Sequence, residues 1–183
     1  PADRVEGEAP FALEPLAQGL RRATIDGKPY PIKSWFVYGT NLIQALPQRE
    51  ETLKAIQALE LLVVVDVLPA EIAGYADVVL PEASYLERYD DLIPIAWRRS
   101  GVALRQPVIP PPGEAKPGWW IARELGIRLG LEAYFPWKDV EGYLRERCKL
   151  SGLDWDTLVR DGVILAPEKP TVVEDGLALA ITT

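Results

Sequence analysis

Histidine and methionine are both absent from this 183-residue chain, and cysteine occurs once. Without histidine, no His-dependent catalytic triad and no histidine metal site can be built. The lone Cys148 allows no internal disulfide and no cysteine-bound cluster within the chain. Methionine is missing even at the first position, so the expectation is a fragment or a processed chain. Asparagine also occurs once, as Asn41, and glutamine is sparse. Together with abundant Arg, Glu, Leu and Pro, this usage resembles that of a thermophile's protein. No basic cluster offsets the net charge of -7. Phosphate backbones need a positive footprint, so nucleic acid is a poor candidate partner and none is expected. No apolar run reaches the length of a membrane span, and none reads as a signal peptide.

What remains is a globular composition, 48% apolar and 26% charged, with enough apolar surface for a sizeable core in one ordinary domain, or one and a fraction. The chain is organised around Val37–Pro81. Ile32–Tyr38 is an extended apolar-rich run that Gly39-Thr40-Asn41 ends abruptly. Leu61–Val65 is continuously apolar, as a strand covered on both faces requires, and Asp66 sits at its carboxyl end. Asp77–Leu80 is a third, β-branched run stopped by Pro81. Between the first two runs, Pro47–Glu60 has helical spacing at Leu53, Ile56 and Leu59, with Glu50 and Lys54 facing solvent. This is a βαβ unit, and the predicted class is α/β, a Rossmann-like, mostly parallel sheet with helices on both faces.

The flanks are less regular. Pro1–Pro10 is a polar strap, and Pro15 opens a helix with Leu16 and Leu20 that ends near Gly27. Leu42–Leu46 reads as a loop, Pro81–Asp91 as a carboxylate-rich loop or short helix, and Leu92–Pro107 as a hairpin or two irregular strands around Ser100-Gly101. The proline-rich stretch from Pro107 to Pro117 is a stiff surface connection. Three helices are expected after it. Gly118–Leu129 should bury Trp120, Ile121, Leu125 and Leu129, and Asp139–Lys149 should bury Val140, Tyr143, Leu144 and Cys148. Asp154 should cap a short helix that stops at Gly162. Cys148 lies on an apolar stripe and reads as a buried structural thiol; Trp119, Trp120, Trp137 and Trp155 read as packing aromatics. Leu177–Ile181 is an expected short strand.

Few residues point to chemistry. Gly39-Thr40-Asn41 follows a buried strand, where glycine permits close backbone approach and N–H groups can face a phosphate; an ordinary strand-to-loop turn is an even alternative. Asp66 lies 25 residues after Asn41, at the tip of the next strand. An acid placed there binds ribose hydroxyls in dinucleotide folds, or grips the N1–H and amino group on one edge of guanine. The plainer alternative is a helix cap or a satisfied loop carboxylate. Glu71, Glu82 and Glu87, taken singly, read as solvated acids. No nucleophile–base pair and no redox ligand is present. The residues by themselves lead as far as a nucleotide-binding α/β domain, part of something larger.

Three stretches add a resemblance: VYGTN, LLVVVDVLPAEIAGYADVVLPEASYLER and PPPGEAKPGWWIARELGIRLG. Their order resembles that of the molybdopterin oxidoreductases, the dimethyl sulfoxide reductase superfamily, over about Lys28 to Gly130. The middle stretch is the specific one. YLERYD and VALRQPVIPPPGEA look most like the polysulfide and thiosulfate reductase branch. Two positions depart from the family pattern. Leu42 stands where proline usually follows the asparagine, and Ile72 where threonine is frequent, which puts contacts around Glu71 in doubt.

The resemblance implies that residues 1–183 are a single domain cradling one dinucleotide, cut from a larger catalytic subunit. Residues 1–28 would be its lead-in, and 165–183 would lead out toward a β-barrel domain. The complete enzyme would carry molybdenum held by two molybdopterin guanine dinucleotides, and an iron–sulfur cluster in another domain. Gly39, Thr40 and Asn41 would approach the dinucleotide and Asp66 would recognise its guanosine end, with Glu71 nearby. Partners implied are the rest of the catalytic subunit, an iron–sulfur electron-transfer subunit and a quinol-linked membrane anchor subunit. The implied location is the periplasmic face of the cytoplasmic membrane, and the activity that of an oxidoreductase of anaerobic respiration. The isolated segment is not expected to be active. Two other readings stand beside this one: a structural module of a respiratory complex that keeps the fold without the cofactor, and a free-standing nucleotide-binding protein.

Overall fold

A computed structural model describes residues 17–96 and 99–167. The expected strap, Leu16 and the Leu177–Ile181 strand lie outside the described residues. The chain divides into two compact units. The first takes the residues up to Ser84 together with Pro111–Gly118; the second takes Tyr85–Pro110 and the residues from Trp119 onward.

The first unit is built on a three-stranded parallel sheet in the order β1-β2-β3. Its strands are β1 (Ser34–Tyr38), β2 (Leu61–Asp66) and β3 (Val78–Pro81). The pairing Phe36↔Val63↔Val78 and Tyr38↔Val65↔Leu80 fixes the register. Alternation along β1 sends Trp35 and Val37 into the core beside Leu62 and Val64 of β2. Helices α1 (Ala17–Asp26), α2 (Leu42–Ala45) and α3 (Arg49–Gln57) accompany that face, with Ile43, Ala55 and Ile56 filling the space. A 3₁₀ turn at Glu71–Tyr75 contributes Ile72, which has no exposure at all. Phe36, Leu61 and Val78 on the sheet are exposed.

Most boundaries match the expected ones within two residues. Leu42–Leu46 differs: it is a helical turn, because Asn41 caps it by accepting a hydrogen bond from the Ile43 N–H through Oδ1. On the exposed side of α3, Lys54 pairs with Glu51 at 2.8 Å. Glu51 is thereby held below the usual carboxylate range, first by the hydrogen bond from Lys54 and then by its charge.

The second unit has an antiparallel sheet, β4 (Ile93–Ile95), β5 (Gly101–Ala103) and β6 (Val163–Leu165). Of the two readings open for Leu92–Pro107, the structure has the hairpin; β6 was not expected. Its helices are α4 (Gly118–Arg128, continuing from the first unit), α5 (Val140–Leu150) and α6 (Trp155–Asp161). Leu104, Leu144, Cys148, Trp155 and Leu158 form the core, with Val140 and Tyr143 partly buried against it. Burial pushes the Cys148 thiol up, so it is a structural residue and a poor nucleophile. On α4, Ile121 is buried as expected, but Trp120 and Leu125 are exposed and Leu129 is 72% exposed. The buried face instead centres on Gly126, where a side chain would collide with the Phe135 ring.

Asp154 caps α6 by accepting from the Thr157 N–H at 2.8 Å, and Gly162 closes the helix at φ +74°. Hydrogen bonds from Thr157, side chain first and backbone second, hold the Asp154 carboxyl below its ordinary range. The native state therefore binds its proton less readily than the unfolded chain does. The capping contribution is complete above the ordinary carboxylate pKa and is lost as pH falls through the depressed folded value. Replacing Asp154 by Asn should keep the cap yet flatten this part of the acid limb, measured as urea midpoints between about pH 5 and pH 2.

Candidate functional site

Parallel strands deliver their carboxyl ends to one edge, and most of the residues singled out from the sequence gather there. Gly39 leaves β1 with φ +62° and donates its N–H to Val65 O at 2.9 Å, which sets the glycine turn directly beside the end of β2. Left-handed backbone of this kind favours glycine, and a Cβ there would meet nothing within 4 Å, so the turn borders open space. Because the Gly39 N–H is taken, it is not a phosphate donor. The N–H groups of Thr40 and Asn41 carry no hydrogen bond among the described residues.

Asp66 is half-buried at the tip of β2. Its Oδ1 accepts from the Val67 N–H at 2.7 Å and more weakly from the Leu68 N–H at 3.4 Å. The satisfied-loop alternative is thus true of one carboxylate oxygen. Oδ2 accepts no hydrogen bond among the described residues. Glu71 starts the 3₁₀ turn and accepts a hydrogen bond from the Arg49 guanidinium of α3. That bond, then the Glu71 charge, raises the Arg49 pKa further. No described contact joins Glu71 to Asp66. Ile72, singled out as a departure from the family pattern, is a core residue.

Glu82 was read as a solvated acid, and here the structure corrects the sequence. It is 5% exposed. Its carboxylate accepts a hydrogen bond from the Tyr38 hydroxyl, and its backbone N–H donates to Asp66 O at 3.0 Å. The end of the proline-rich segment closes the same edge: Lys116 N–H donates to Pro81 O at 3.1 Å and Ala83 N–H to Lys116 O at 3.0 Å. This places Gly118 against Tyr38 and Glu82. Sequence reasoning missed Tyr38, Gly118 and the burial of Glu82. The available signal was positional, since Tyr38 and Glu82 each stand where a parallel strand ends.

This edge offers backbone donors at a glycine turn beside a carboxylate with an open oxygen. Such an arrangement accepts an anionic group on one side and a donor-bearing heterocycle on the other. Among the described residues, no cluster of His, Cys, Asp or Glu suits a metal ion.

The family model for molybdopterin oxidoreductases matches residues 19–128. The chain belongs to the molybdopterin oxidoreductase family. It is 39% identical over 156 residues to the thiosulfate reductase molybdopterin-containing subunit of Salmonella typhimurium, covering 82% of this chain and 20% of that protein. It is 33% identical over 165 residues to acetylene hydratase of Syntrophotalea acetylenica, covering 85% of this chain and 22% of that protein. Acetylene hydratase from Pelobacter acetylenicus has a solved structure that superposes with a TM-score of 0.68 at 30% identity, over 82% of this chain and 20% of that one. The chain thus spans about a fifth of the length of the relatives it matches. The family assignment and the mixed α/β class with a parallel sheet agree with the sequence reading.

Proposed function

We propose that this segment holds one guanine-bearing end of a molybdopterin guanine dinucleotide, in a parent enzyme that reduces a sulfur compound such as thiosulfate or polysulfide. The observation that carries the first part is the open Oδ2 of Asp66 beside the unused N–H groups of Thr40 and Asn41. Guanine presents two donors, N1–H and its amino group, on one edge, and a carboxylate accepts both. Phosphate oxygens accept from backbone N–H groups at a glycine turn. The residues present fit the group. When bound, the molybdenum supplies the redox chemistry; this segment's residues orient the dinucleotide and shape the field around it.

The sulfur-compound reading is supported by 39% identity to the thiosulfate reductase subunit, against 33% for acetylene hydratase. On this reading an iron–sulfur cluster elsewhere in the catalytic subunit receives electrons from an iron–sulfur partner subunit. A quinol-linked membrane subunit supplies them at the outer face of the cytoplasmic membrane. Glu71 belongs to the site at most through the Arg49 pair that positions the turn after Asp66.

Metal and nucleotide analysis of the full-length protein tests the reading. The expected result is about one molybdenum or tungsten and several irons per chain, with guanine nucleotide released on denaturation. Iron with neither metal and no guanine would sink it and leave a scaffold that keeps the fold without the cofactor.

A further inference from the structure

The Tyr38–Glu82 pair has no part in the cofactor contacts proposed for Asp66, Thr40 and Asn41. Tyr38 ends β1 and Glu82 follows β3, the two outer strands, with β2 between them. Neighbouring strands stand about 4.8 Å apart, so a bond between these side chains crosses roughly 10 Å over the end of β2. Val65 is in register with Tyr38 and Leu80, yet has no exposure, while Phe36 and Val78 one step back along the same face are exposed. The pair therefore roofs the last residue before Asp66.

Three features show that the roof is built. Glu82 is a nearly buried carboxylate, a costly group unless it receives hydrogen bonds, and the Tyr38 hydroxyl supplies one. The backbone of that same residue donates to Asp66 O at 3.0 Å, which ties the roof to the carbonyl of Asp66 itself. Gly118 leaves the space for it: a Cβ there would stand 2.8 Å from Glu82 Oε1 and closer still to the Tyr38 hydroxyl. That bond carries the β2–β3 ladder one step past Pro81, so the residue that anchors the roof also fixes the Asp66 carbonyl.

We propose that Tyr38 and Glu82, with room left by Gly118, are positioning residues that hold Asp66 in the orientation in which its open carboxylate oxygen receives the guanine end of the cofactor. This rests on the function proposed above for Asp66. Neither residue is assigned any contact with the cofactor; both act through the Asp66 backbone.

The test uses the full-length protein and measures guanine nucleotide and molybdenum retained per chain during dialysis, alongside the melting temperature. Tyr38→Phe, Glu82→Leu and Gly118→Ala should each speed loss of the nucleotide about tenfold, the usual scale for removing a partner that orients a binding group. Glu82→Gln keeps an acceptor for Tyr38 and should rescue most of that loss. In an Asp66→Ala background, Tyr38→Phe should add nothing, because the residue it acts through is gone. Independent, additive losses in that background would overturn the proposal. So would a lowered melting temperature with an unchanged release rate, the behaviour of a staple. If the wild-type protein released no guanine nucleotide, the function proposed for Asp66 would fail first and this inference with it; loss on Asp66→Ala but not on Tyr38→Phe would overturn the inference alone.

Discussion

Replacing Asp66 by alanine in the full-length protein should leave the chain folded and strip most of its molybdenum and guanine nucleotide. The structural loss is small: Oδ1 gives up acceptance from Val67 N–H and a weak contact with Leu68 N–H, both in a solvent-reached loop. Bonds of that kind contribute about 1 kcal/mol or less. The ligand loss is larger, because a charged acceptor facing two donors contributes roughly 1.5–3 kcal/mol per bond, or one to two orders of magnitude in affinity for each. Asp66→Asn separates the two effects. An amide keeps an acceptor for the loop but can turn an NH₂ toward the donors of guanine. Asn should therefore match the wild type in melting temperature and match alanine in lost cofactor. Molybdenum occupancy unchanged in both variants would remove Asp66 from the site.

The parallel sheet was legible because its strands obey opposite rules that both leave marks. β2 is apolar at every position until Asp66, and β3 is a short β-branched run that ends on Pro81, which has no N–H to donate. The hairpin of β4 and β5 was legible, as one of two readings, from the turn residues between its halves. β6 was not, because Val163–Leu165 is three residues long and gains its character only from pairing with Gly101–Ala103, some sixty positions earlier. The buried face of α4 misled for a related reason. Trp120, Leu125 and Leu129 are the large apolar side chains, but burial went to the face where Gly126 admits the ring of Phe135. A pattern of hydrophobic residues cannot announce a contact made by an absent side chain.

For the site, position along the strand carried more than residue type. Gly39 and Asp66 could be placed at one sheet edge because each ends a strand that the sequence displays clearly. Glu82 was misjudged because a glutamate after a proline looks like surface, and its burial depends on Tyr38 and Gly118, which lie 44 residues before it and 36 after it in the chain. Glu71 was placed near Asp66 by the family resemblance, and its carboxylate accepts from Arg49.

Arg21→Ala should produce the largest loss of stability in the first unit, about 3 kcal/mol. Arg21 is 3% exposed on α1, and its guanidinium donates to Pro47 O at 2.6 Å, Thr52 Oγ1 at 2.9 Å and Gln48 O at 3.2 Å. These acceptors belong to the entry of α3, where Gln48 sits at φ +61° with no side-chain cap. A non-glycine residue in that region is held there by its surroundings, and Arg21 is the group that grips the carbonyls on both sides of it. Alanine would orphan the Pro47 carbonyl, break a bond to the fully buried Thr52 and empty the space of the aliphatic stem. Arg21→Met refills that space and removes a buried cation, whose Nε finds no partner. Apolar replacement of a buried charge can be neutral or better when nothing is left unpaired. Here the Pro47 carbonyl is left unpaired, so methionine should recover only part of the loss, roughly half. Urea unfolding of both variants measures the two costs. Methionine as stable as the wild type would mean that α1 and α3 are joined by packing alone, and that the hydrogen bonds of Arg21 contribute nothing net to the turn that leads into α3.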